Sequence, residues 1–135
     1  MADHVLVWLL VERDGSVLLT RRKASEPPFG GQWVLPGEEM LENESSGETV
    51  ARVVREELGA GFSSDDFATT IELSDGGKEY TINVFRVGVS GHPRYRESGP
   101  YEEAAWAPLT DLRGAGLEMP PQLLDALVAN IEGKG

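Results

Sequence analysis

Apolar residues along this chain fall into blocks whose spacing alternates between strand-like and helical. Val5 to Val11 is an unbroken apolar run closed by Glu12 and Arg13, and Val17 to Leu19 is a second one that leads into Thr20. Between them lies Arg13-Asp14-Gly15-Ser16, so two strands joined by an Asp-Gly turn are predicted. Ser25 to Gln32 is rich in Pro and Gly and reads as a loop, followed by a short strand at Trp33-Val34-Leu35 that Pro36-Gly37 stops. From Glu38 to Glu48 the chain is polar and acidic, with too few apolar residues for a packed element. A helix is predicted from about 46 to 58, stopped by Gly59 or Gly61.

Past that helix, 61–67 reads as a loop, and a second hairpin is predicted from Ile71–Leu73 through Asp75-Gly76-Gly77-Lys78 to Tyr80–Val89. Residues 91–100 form another loop, Ala104–Ala107 a short strand, and Pro120-Pro121 opens a last helix. Leu123, Leu124, Leu127, Val128 and Ile131 are that helix's inner face. Strands interleaved with two helices, without a repeat or a dividing linker, predict an α/β (α+β) sandwich as one domain over 1–135.

The first helix carries an irregularity. With Val53 at the origin and about 100° per residue, Val50 falls at roughly 60°, Val54 at roughly 100° and Leu58 at roughly 140°, and Glu57 falls at roughly 40°. A carboxylate therefore lies inside the apolar stripe, with Glu56 just beyond its edge. Such a group costs free energy unless it finds a partner. Side by side, Glu56 and Glu57 invite a hard cation such as Mg²⁺ or Mn²⁺. Equally, Glu57 reaches water from the rim while Glu56 pairs with Arg52.

Charge sharpens this. Asp and Glu number 23 against 12 Lys and Arg, a formal net charge of −11. Such a surface repels a phosphate backbone, so nucleic acid is not an expected partner. An anionic ligand would need positive charge brought to it, for which a cation held by carboxylates serves; acidity also serves solubility alone. The absence of cysteine excludes disulfides, thiolate metal sites and a cysteine nucleophile, and fits a reducing cytoplasm. Val5–Val11 is far short of the roughly 20 apolar residues of a membrane span. It also lacks a basic leader segment, so a cytoplasmic protein without a membrane partner is expected.

The stretch Trp33-Val34-Leu35-Pro36-Gly37, then Glu44, Arg52 and Glu56-Glu57-Leu58-Gly59, resembles the box of the Nudix (MutT-like) hydrolases. Seven residues separate Glu44 from Arg52 and three separate Arg52 from Glu56, so the register needs no gap. Val17-Leu18-Leu19 with Arg21-Arg22 before the box, and Glu102-Glu103-Ala104-Ala105-Trp106 with Pro108-Leu109 after it, resemble the family's usual flanks. Two positions depart: Glu38 stands where the pattern has its opening glycine, and Val53 where it has a glutamate.

The resemblance implies a Nudix-type α/β/α sandwich with a mixed sheet, and hydrolysis of a phosphoanhydride bond in a nucleoside diphosphate derivative by metal-assisted attack of water. It implies Mg²⁺ or Mn²⁺ held by Glu56, Glu57 and the Gly37 carbonyl. A later carboxylate would join them, with Glu97, Glu102 and Glu103 as candidates, and one of these or Glu38 or Glu39 would fill the gap at Val53. Arg52 would orient a box carboxylate, and Glu44 would brace the junction of loop and helix. Arg21 and Arg22 would meet substrate phosphate, and Phe29 or Trp33 would stack on a base. The expected partner is thus a small nucleotide-type substrate, and dimers being common among such domains, a homodimer is compatible. His4 and His92 carry no motif. Val53 supports a second reading, a Nudix-fold module that binds a nucleotide or protein partner with little or no turnover. A calcium-binding domain ranks behind both, because EF-hand spacing is absent.

Overall fold

A computed structural model describes residues 4–95 and 99–132, apart from the side chains of 115 and 130–132. Its strands are β1 (His4–Leu10), β2 (Glu12–Arg13), β3 (Ser16–Arg22), β4 (Trp33–Val34), β5 (Gly37–Glu39), β6 (Gly61–Asp75), β7 (Lys78–Ser90) and β8 (Tyr101–Pro108), with helices α1 (Ser46–Glu56) and α2 (Pro121–Glu132). One sheet runs β5-β1-β7-β6 and is mixed, because β1 pairs parallel with β7 and antiparallel with β5. In the other, β3 pairs with β2 and β4 and also with β8.

The unbroken apolar run at Val5–Val11 has a simple cause. Leu6, Trp8 and Leu10 enter a core that also holds Leu123 and Leu127 of α2, whereas Val7, Leu9 and Val11 enter a second core with Val50, Val53 and Val54 of α1. A strand covered on both faces has no polar side to alternate with. The result is the α/β/α sandwich that the box resemblance implies.

Three expectations change. The Asp-Gly turn is real, with Asp14 and Gly15 at φ 52° and 77°, but it joins only the two-residue β2 to β3. β1 itself leaves for the other sheet, because its doubly apolar faces are satisfied between the helices. Residues 61–67 are not a loop: β6 begins at Gly61 and pairs with β7 through Asp75. Their alternation is hidden because Phe62 and Phe67 lie exposed, 40% and 59%. The acidic stretch after Pro36 contains β5, whose three residues are held by backbone pairing to β1 rather than by apolar side chains of their own. Ile131, assigned to the inner face of α2, falls outside the residues whose side chains are described.

Candidate active site

The box folds as strand, loop, helix and loop, and each part is locally determined. Gly37 lies so close to β1 that a Cβ there would run into the Val7 carbonyl oxygen and Trp8. Glycine is therefore required at 37, whereas Glu38, opposite Val7 in the ladder, tolerates a side chain. Asn43 takes a left-handed φ of 69°, which asparagine tolerates better than most residues. Ser45 then caps α1: its hydroxyl accepts from the Glu48 N–H at 3.1 Å, while the Glu48 carboxylate accepts from the Ser45 N–H at 2.9 Å. The helix ends at Glu56, and Gly59 turns the chain with φ 58°.

The N-terminal side of α1 holds a closed ion pair. Arg52 Nε donates to Glu44 Oε2 at 2.8 Å and its Nη2 to Oε1 at 3.0 Å, while Nη2 also donates to the Glu39 carbonyl at 3.1 Å. Glu44 further accepts from the Leu41 N–H at 3.0 Å and the Thr49 hydroxyl at 2.8 Å. With the Arg52 hydrogen bonds as the largest cause, this set pulls the Glu44 carboxyl down to about 2. In return, the Arg52 guanidinium titrates above its ordinary range. Arg52 thus ties the loop and β5 to the helix, and the box carboxylate it holds is Glu44.

At the other end the balance reverses. Glu57 points inward and accepts a 2.6 Å hydrogen bond from the hydroxyl of Tyr101, a fully buried side chain. The same hydroxyl accepts from the Gly37 N–H at 2.8 Å and lies 3.1 Å from the Gly37 carbonyl. Burial, and then the facing Glu38 carboxylate, push the Glu57 carboxyl up to about 8, against the opposing pull of Tyr101. Arg22, only 8% exposed, stands 4.0 Å from Glu38 and lies over the Tyr101 ring at 5.9 Å. Its other donors reach the carbonyls of Glu26 and Pro27 at 3.3 and 3.4 Å, so it also pins the Pro-rich loop.

Beside this group opens a cavity of about 200 Å³ lined by His4, Trp8, Arg22, Phe29, Gly37, Glu38, Lys78 and Tyr80, among others. The Phe29 ring lies 5.7 Å from those of Trp8 and Tyr80, and His4 pairs with Glu39 at 3.1 Å.

The structure thus brings together Glu57, Gly37, Glu38 and Arg22, and sets Phe29 beside them. It does not bring the remaining candidates there. Glu56 is exposed and lies 3.3 Å from Arg55, not on Arg52. Arg21 is held by Glu102, at 3.1 Å, and by Glu103, and lies over the Trp33 ring at 5.9 Å. Arg21, Trp33, Glu102 and Glu103 therefore form their own cluster: Arg21 and Arg22 leave opposite faces of β3, and a bulge in the β3–β8 ladder leaves Glu102 as an extra residue beside the Arg21–Glu103 pair. Glu97 lies outside the described residues. Among the described residues no three carboxylate or imidazole groups form a ready cation cage.

Sequence reasoning missed Tyr101, which looks like any core aromatic, and it missed His4, Lys78 and Tyr80 at the cavity. The signal for Tyr101 was its place opposite Arg22, visible only once β3 and β8 are paired.

Geometry and fold together define a class: an α/β/α sandwich in which a capped helix, braced by an Arg–Glu pair, carries an inward glutamate to a glycine fixed against the central strand. The NUDIX domain model matches residues 2–127, and the chain belongs to the Nudix hydrolase family. The nucleoside triphosphatase NudI of Escherichia coli O139:H28 is 30% identical over 123 residues, covering 83% of this chain and 86% of the relative. The MutT NUDIX hydrolase from Burkholderia pseudomallei superposes with a TM-score of 0.79 at 28% identity, covering 93% of this chain and 95% of that one. The MutT protein from Methanosarcina mazei Go1 gives 0.82 at 26% identity, covering 97% and 94%. Among the described residues no helix is long and apolar enough to cross a membrane.

Proposed function

We propose that this chain hydrolyses a phosphoanhydride bond of a nucleoside triphosphate or a related nucleoside diphosphate derivative. The observation that carries the reading is the Glu57–Tyr101–Gly37 group, joined through Gly37 to an aromatic-walled cavity. Rings of Trp8, Phe29 and Tyr80 suit the flat face of a base, and Arg22 and Lys78 suit phosphate oxygens. The NudI relative, a nucleoside triphosphatase by name, supports the same substrate class.

The family implies a divalent cation, and the donor set fits one. Glu57 and the Gly37 carbonyl, which Tyr101 links, offer only oxygens, the ligands that Mg²⁺ and Mn²⁺ prefer. The high proton affinity of Glu57 marks a place short of positive charge. Bound there, the cation would offset charge developing on phosphate oxygens. The protein's own part is placement. Tyr101 holds Glu57 and Gly37 at fixed separation, the Arg52–Glu44 pair holds the helix to β5, and the cavity walls exclude water from the base. Hydrolysis joins a water oxygen to phosphorus, breaks the bridging P–O bond and releases a proton.

The test is product release from a panel of nucleoside triphosphates, nucleotide sugars and dinucleoside polyphosphates, with Mg²⁺ or Mn²⁺ and with chelator. Cation-dependent cleavage that falls at least about 100-fold in Glu57→Gln is expected. Silence across the panel from folded protein overturns the reading. The second reading, a binding module without turnover, draws on Val53, which is wholly buried and leaves the helix face without its third carboxylate. Saturable nucleotide binding with no product at any cation concentration is its signature.

A further inference from the structure

The family pattern asks for a glutamate at 53, and here the helix cannot supply one. Val53 is fully buried, packed in a core with Val7, Leu9, Val50, Val54 and Leu58, where a carboxylate would lose its water. The other departure from the pattern lies across the site. Glu38 occupies the glycine position next to Gly37. Its backbone is fixed by pairing with Val7 in the β5–β1 ladder, and its partly covered side chain reaches toward Arg22 and the Glu57 carboxyl.

The neighbouring carboxylates are committed elsewhere. Glu39 pairs with His4, Glu44 with Arg52, Glu56 with Arg55, and Glu102 and Glu103 with Arg21. Among the described acidic residues of the box, Glu38 is the one turned toward Glu57. The box thus has one carboxylate fewer on the helix wall of the site and one more on its strand wall.

We infer that Glu38 is a further functional residue of this site, completing with Glu57 and the Gly37 carbonyl the oxygen set for a divalent cation, in the role left open at Val53. The assignment rests on the hydrolase reading above. It also explains the spacing of the two walls: Gly37 has to remain glycine against Val7, so the nearest β5 position free to carry a side chain is 38.

Glu38→Gln tests this, read by Mn²⁺ titration with electron paramagnetic resonance and by thermal unfolding with and without Mn²⁺. The expected result is Mn²⁺ affinity lower by about 10-fold or more and turnover lower by about 100-fold. The metal-free melting temperature should be unchanged, because glutamine keeps the size of the side chain and can still hydrogen-bond the Glu57 carboxyl. A merely structural role would lower that temperature and leave Mn²⁺ affinity intact. Glu38→Gly, which installs the residue of the family pattern, provides a second variant and should match Glu38→Gln in Mn²⁺ affinity and turnover. Wild-type Mn²⁺ affinity and turnover in either variant overturn the assignment of Glu38 while leaving the hydrolase reading in place. A wild-type chain that binds no Mn²⁺ and cleaves nothing overturns both.

Discussion

Glu44 and Glu57 flank the same helix, belong to the same box and are chemically identical, and their surroundings drive them in opposite directions. At the N-terminal side, Glu44 receives a guanidinium, a backbone N–H and a hydroxyl, and its carboxyl is held at about 2. At the C-terminal side, Glu57 receives one tyrosine hydroxyl, faces another carboxylate, and its carboxyl rises to about 8. A carboxylate with every lone pair satisfied is a brace, stable and unavailable to a ligand. A carboxylate with too few donors is available to whatever positive charge arrives. The box therefore divides its acids between holding the loop and meeting the ligand.

The most severe way to break this contrast is to place a third carboxylate on the helix. Val53→Glu would set a charge in the α1 core with no partner, at an expected cost of about 4 kcal/mol. Chemical denaturation reads the loss directly. Turnover per folded molecule should not rise, since Val53 is fully buried in the apolar cluster with Val7 and Leu9. A variant both stable and more active would mean that the helix wall still accepts the family's glutamate.

Removing the brace comes next. Arg52→Ala leaves Glu44, 13% exposed, without its principal partner and frees the Glu39 carbonyl. An uncompensated, largely covered carboxylate is expected to cost about 3 kcal/mol in unfolding experiments. Arg52→Lys, which keeps the charge and loses the two-pronged geometry, should recover part of this. Equal stability of wild type and Arg52→Ala would show that the pair contributes nothing.

A pH titration of stability in metal-free buffer separates the two acids without any large perturbation. Glu44 has a folded value below its unfolded one, so its contribution is present above about 4.5 and lost as pH falls through about 2. Glu57 has a folded value above its unfolded one, so its contribution is complete below about 4.5 and lost as pH rises through about 8. Glu44→Gln should flatten the acid limb, with a change of about 2 kcal/mol, and Glu57→Gln the alkaline limb. Saturating Mg²⁺ should flatten the alkaline limb alone. Acid and alkaline limbs untouched by these variants would remove the contrast.

The comparison also explains what could be read from residues alone. The apolar stripe of α1, with Glu57 inside it, was legible because a helix repeats its face over eleven residues with few exceptions. That Arg52 would orient a box carboxylate followed from the resemblance, but that this carboxylate is Glu44 did not, because Glu44 reaches it from the loop before the helix. β5 was not legible, because three residues held by backbone pairing leave no side-chain signature. β6 from 61 to 67 was not, because an exposed strand loses the alternation that betrays a half-buried one. The grouping of Glu102 and Glu103 on Arg21 depended on one bulge between β3 and β8, a register event that no local pattern encodes. Tyr101 was hidden for a related reason: its ring is core, and only its hydroxyl is part of the site.

That hydroxyl supplies the smallest and most discriminating change. A hydroxyl has one proton to give, so Tyr101 donates either to Glu57 or to the Gly37 carbonyl while accepting from the Gly37 N–H. Tyr101→Phe preserves the buried ring and removes this link. The cost should be about 1 kcal/mol, chiefly for the Gly37 N–H left without its acceptor. Because the Tyr101 bond is what restrains the rise of the Glu57 carboxyl, the alkaline limb should move to still higher pH, while the acid limb of Glu44 stays fixed. An alkaline limb that moves down, or an acid limb that moves with it, would mean that the two ends of the helix are not electrostatically separate, and the division of labour in the box would have to be redrawn.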